Sequence, residues 1–104
     1  MQFEVQGEDA VAATTELFSI EGLSGNWDAV AEDDKEVTLA TIGAIVGIVG
    51  GTIAIAEQIR KWYQEYKKGK SGKKIDKVLL VSRSGKRLLL KDATVEQIKQ
   101  ILDS

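Results

Sequence analysis

Cysteine and histidine are both missing from this chain. Without thiols there is no disulfide framework and no thiolate nucleophile, and without imidazole the commonest general base and metal ligand is gone. Aromatic residues make up only 6% of the sequence, so the core they help fill is modest. Charge is missing too from one long stretch: the twenty residues from Val37 to Ala56 carry none, and four of them are glycine. What remains is 104 residues, 43% of them apolar, which fits a single domain spanning 1–104.

The net charge of -2 conceals a division. Residues 1–36 hold ten acidic side chains and one base, Lys35, whereas residues 57–104 hold thirteen bases and six acids. Two oppositely charged halves thus flank the uncharged stretch. Such asymmetry suits packing of one half on the other, head-to-tail association of copies, or a basic half facing an anionic surface. The opening MQFEVQGEDA has neither the basic region nor the early apolar run of a secretory signal, so residence in the cytosol at rest is expected.

Periodicity supplies the elements. Phe3 and Val5 alternate with Gln2, Glu4 and Gln6, which predicts a strand ended by Gly7. Asp9 reads as the N-cap of a helix from Ala10 to Ile20, and Asn26 to Glu32 as a second strand. The acids Glu32, Asp33, Asp34 and Glu36 then favour the start of a long helix from about Lys35 to Lys68. After GKSGKK, the runs Val78–Val81 and Leu88–Leu90 flank SRSGKR as a hairpin with Ser84-Gly85 at its turn. Thr94 and Gln97 form a capping box before a last helix. The expected class is α+β in the order β-α-β-α-β-β-α: an acidic β-α-β part over 1–36, an apolar then basic helix over 37–68, and a hairpin plus helix over 75–104.

On a helix, Ala40, Gly43, Ala44, Gly47, Gly50, Gly51 and Ala54 fall within one arc of about 120°. Two overlapping Gly-x-x-x-Gly spacings lie in this glycine zipper, an arrangement that lets helix backbones approach closely. Each glycine costs about 1 kcal/mol relative to alanine in a helix, so such a seam needs a partner to offset it. At about 30 Å the helix also matches the hydrocarbon thickness of a bilayer. Three readings follow: a buried central helix, a helix that oligomerises and enters a membrane, and a soluble oligomer with mated seams. Beyond it, Trp62, Tyr63 and Tyr66 interleave with Arg60, Lys61, Lys67 and Lys68, a pattern for headgroup depth at an anionic membrane or for a partner surface. No RNA-binding signature accompanies it, so nucleic acid is not an expected partner.

Chemistry of other kinds finds little support. GKSGKK lacks the spacing of a phosphate loop, the acids at 32–36 lack that of a calcium loop, and Ser82, Ser84 and Lys86 have no base beside them. No cofactor, metal or enzymatic activity is expected.

The strand followed by Gly7-Glu8-Asp9, the apolar segment ending near Trp62, and the Ser84-Gly85 hairpin leading into Asp92-Ala93-Thr94 resemble the effector-associated constant components of bacterial conflict systems. That resemblance implies an accessory protein encoded beside caspase-like or trypsin-like peptidases or TIR proteins, acting in defence against phage. It carries no catalytic residues. Two functions are consistent with it. One is self-assembly through the seam and damage to the inner membrane on activation, with cleavage after Asp33 or Asp34 by a partner protease removing the acidic half. The other is a soluble adaptor that binds a partner effector and regulates it.

Overall fold

The uncharged stretch divides into a strand and a helix. In the computed structural model, which describes residues 1–29, 40–69 and 72–103, β3 runs Ala40–Ile48 and the helix begins only at Thr52. The elements in order are β1 Gln2–Gly7, α1 Ala10–Leu17, β2 Leu23–Ala29, β3, α2 Thr52–Lys68, β4 Lys77–Val81, β5 Arg87–Leu89 and α3 Val95–Asp103, with a single 3-10 turn at Leu90–Asp92. The class is therefore α+β, but the order is β-α-β-β-α-β-β-α. The expected helix from Lys35 to Lys68 is shortened by the strand at its front.

Composition explains this correction. β3 contains Thr41, Ile42, Ile45, Val46 and Ile48, whose β-branched side chains fit a pleated surface better than a helix. Its alternate residues Ile42, Ala44 and Val46 are buried. The strand lies between β1 and β2, so its backbone polar groups are paired on both sides. Gly50, at φ 104°, then turns the chain, and Gly51 is the N-cap of α2.

All five strands pair antiparallel in the order β2-β3-β1-β4-β5. Register aligns Leu80, Phe3, Ala44 and Trp27 in one row and Val78, Val5 and Ile42 in the next. These rows pack against Ala13 and Leu17 of α1, Ile55, Ile59 and Trp62 of α2, and Ile98 and Ile101 of α3 in one core. Helices thus cover one face of the sheet. The opposite rows carry Val81, Gln2, Ile45 and Asn26, then Leu79, Glu4, Gly43 and Asp28. Ile45, 71% exposed, projects there.

The predicted seam has no common face. Ala40, Gly43, Ala44 and Gly47 belong to β3, Gly50 and Gly51 to the connection, and Ala54 to the exposed side of α2. Ala44 faces the core, whereas Gly43 and Gly47 lie on the other side of the strand. Among the described residues no helix is long and apolar enough to cross a membrane.

Other expectations fared variously. The strand at the N-terminus is present, and so is the hairpin around Ser84-Gly85, but its loop has three residues rather than two: Gly85 N donates to Ser82 O at 3.0 Å across Arg83-Ser84, and Gly85, at φ 90°, completes the reversal. Thr94 and Gln97 exchange the two bonds of a capping box, at 2.9 and 3.1 Å. α1 stops at Leu17, short of Ile20, because Ser19 and Ile20 turn back on Glu16 and Leu17. Asp9 occupies the N-cap position without capping; its carboxylate accepts from the Lys74 backbone N–H at 2.8 Å and fastens the approach to β4. β2 begins at Leu23, three residues before the expected Asn26.

Candidate partner-binding site

α2 is amphipathic by spacing. Ile55, Ala56, Ile59, Trp62, Tyr63 and Tyr66 recur every three or four residues and are all buried. Three of them, Trp62, Tyr63 and Tyr66, are the aromatics expected at a membrane interface or a partner surface, and in this fold they are interior side chains. The Trp62 indole N–H donates to Ala13 O at 2.8 Å, the Tyr66 hydroxyl donates to the Glu16 carboxylate, and the two rings lie 6.1 Å apart at 51°. They bind α2 to α1 instead. Of the interleaved bases, Arg60, Lys61, Lys67 and Lys68 remain exposed, and Lys67 donates to Asp76 O at 3.2 Å.

Along the side of α2 away from α3 runs a groove of about 630 Å³. One wall is the helical strip Ala54, Gln58, Lys61 and Glu65, whose spacing of four, three and four places them on one line. Facing it are Glu16 from the last turn of α1 and Glu21 from the turn before β2, with Ile20, Ile55 and Trp62 beneath. Three carboxylates and one ammonium thus border an apolar base. Such a channel suits a peptide segment that carries a cationic and an apolar side chain.

A second cavity, of about 520 Å³, lies where the start of α2 meets the end of α3 and includes Thr52, Arg83, Leu102 and Asp103. Asp103 accepts from Lys99 at 2.6 Å. That bond, with a further one from Thr52, holds its carboxyl below the usual range, and the same pairing raises Lys99. Tyr63 is pushed up by burial and then by Asp92. These are structural pairings around helix ends.

Among the described residues no group of three Asp or Glu side chains is placed to hold a metal ion. The acids Glu32, Asp33, Asp34 and Glu36, including the two cleavage candidates, lie outside the described residues. In GKSGKK, Gly69 is the left-handed C-cap of α2, so a helix leads into the segment where a phosphate loop needs a strand. Ser82 and Ser84 hold the hairpin turn: their hydroxyls are 3.0 Å apart, and Lys86 N donates to Ser82 Oγ at 2.9 Å.

No family model matches the chain, and no curated protein or solved structure is detectably similar to it. The site is accordingly read from its geometry. Sequence reasoning marked Lys61 and Trp62 but missed Glu16 and Glu21, which lie some forty residues away in sequence; no local pattern announces that a helix end and a turn will face α2.

Proposed function

We propose that this chain is a non-enzymatic accessory component of a bacterial conflict system, working as an adaptor that binds a partner effector and regulates it. The pattern shared with effector-associated constant components supports the setting. The observation that supports the adaptor reading is the burial of Ile42, Ala44 and Val46 in the core: the inward-facing row of β3 is occupied within one protomer. The groove bordered by Glu16, Glu21 and Glu65 is the surface offered to the partner, through a cationic segment of a peptidase or TIR protein.

The test is titration calorimetry of the purified chain against the effector encoded beside it. Saturable binding that weakens about tenfold or more in Glu21→Lys is expected, since an opposite charge at a rim both slows encounter and loosens the complex. Absence of binding, or binding indifferent to that substitution, contradicts the proposal.

The competing reading, self-assembly followed by damage to the inner membrane, draws on Val49 and Ile53, which are exposed beside the start of α2. It requires β3 to leave the sheet and join α2 as one helix. Anionic liposomes that leak on addition of the activated protein would favour it over the adaptor.

A further inference from the structure

The sheet ends in two unlike edges. β5 is three residues long, whereas β2 presents seven, Leu23–Ala29, with no lysine or proline and with Asp28 as its only charge. Edge strands of this length usually carry such protections.

Hydrogen-bond phase identifies the groups that face outward. Val49 N donates to Gly22 O at 2.8 Å, so in the β2–β3 ladder the residues paired by bonds are Ser24, Asn26 and Asp28. On the far side of β3, Val46 N donates to Met1 O at 2.8 Å, the complementary phase. Gly25 and Trp27 therefore turn their N–H and C=O groups away from β3, and among the described residues nothing pairs with them. Leu23 also turns outward, but its N–H is taken by Ile20 O at 3.1 Å.

We propose that β2 pairs antiparallel with β2 of a second copy about a two-fold axis through Asn26, joining two sheets into one of ten strands. This register sets Gly25 opposite Trp27 of the partner copy, and Trp27 opposite its Gly25, as bonded pairs. Each pair exchanges two N–H···O bonds, so the four outward groups of each strand are used. The side chains agree with it. Trp27 is half-buried on the helix-covered face, and the glycine across from it leaves room for an indole to lie over the neighbouring backbone. On the other face Ser24 stands opposite Asp28, a hydroxyl donor to a carboxylate acceptor, and the two Asn26 amides meet on the axis. LSGNWDA is thus complementary to itself when reversed. One strand pair buries less than a standard interface, so the dimer is reversible.

Single cysteines test the register, because the chain has none of its own. In Asn26→Cys the two thiols meet as a non-bonded antiparallel pair, within disulfide reach. Mild oxidation is expected to link this variant into dimers of twice 11.3 kDa. Ser24→Cys alone is expected to link slowly, and an equimolar mixture of Ser24→Cys with Asp28→Cys to link about as fast as Asn26→Cys. Without any cysteine, sedimentation should show a concentration-dependent dimer. Asn26→Lys, which puts like charges on the axis without touching the core, should weaken that dimer about tenfold or more. A monomer at every attainable concentration overturns the proposal, as does linkage of Ser24→Cys alone at the rate of Asn26→Cys. If the edge instead takes an extended segment of a different protein, the monomer result is the one obtained.

Discussion

The indole nitrogen of Trp62 donates to the carbonyl oxygen of Ala13 at 2.8 Å, joining residues forty-nine apart in sequence in the buried layer between α1 and α2. A membrane-interface tryptophan keeps its N–H near water; this one is 4% exposed and satisfied by backbone. Trp62→Phe removes the bond and leaves a small void, so it should destabilise the fold by about 1–3 kcal/mol. Denaturant unfolding followed by circular dichroism measures this, and an unchanged midpoint would contradict the packing described.

Two glycines separate a sheet from a helical seam. At Gly25, φ is 146° and an added Cβ would come 1.9 Å from Ile45 O, so Gly25→Ala should cost more than about 2 kcal/mol. At Gly47 the nearest atom to such a Cβ is Ser24 Oγ at 3.4 Å, and Gly47→Ala should stay within about 0.5 kcal/mol of the parent. A glycine zipper predicts the reverse order. Thermal midpoints of the two variants distinguish them.

The Thr14 hydroxyl is fully buried in α1 and makes no hydrogen bond. Valine has nearly the same shape and is equally branched, so Thr14→Val removes a desolvated polar group without opening space. A gain of about 1 kcal/mol is expected in urea unfolding. A lower midpoint would mean that the hydroxyl has a partner in solution.

Tyr63 titrates above the ordinary tyrosine value near 10 because burial disfavours its phenolate and Asp92 adds to the effect. The folded chain therefore holds this proton more tightly than the unfolded one. Stability is full below the unfolded value and declines as pH rises from there through the folded value. Unfolding midpoints measured across that alkaline range should fall less steeply in Tyr63→Phe than in the parent.

Legibility in the sequence followed from how many patterns a segment satisfies. The period of two at Phe3 and Val5 and the Thr94/Gln97 capping box each admit one local structure, and each is present; the hairpin around Ser84-Gly85 is present too, with Arg83 added to its loop. Ala40–Ile48 satisfies two. Its small residues recur at helical spacing, yet Ile42, Ala44 and Val46 alternate as a strand does, and an apolar run flanked by further apolar residues does not reveal its period. The density of β-branched residues and the Gly50-Gly51 pair favoured the strand. Long-range pairing decided it, since β3 bonds to β1 and β2 at once and sequence does not show which segments become neighbours. The groove was hidden for the same reason: Lys61 stands out beside Trp62, but Glu16 and Glu21 join it only through the packing of α1 on α2.

The central claim is that residues 40–48 are an inner strand, and backbone nuclear Overhauser effects test it most directly. In the ladders described, Trp27 faces Ala44 and Glu4 faces Gly43 as non-bonded pairs, where opposing Hα atoms come closest. Strong Hα–Hα contacts between Trp27 and Ala44 and between Glu4 and Gly43 are the predicted result. Contacts from Hα to the amide three residues on, running unbroken from Ile42 to Ala56, would contradict the account.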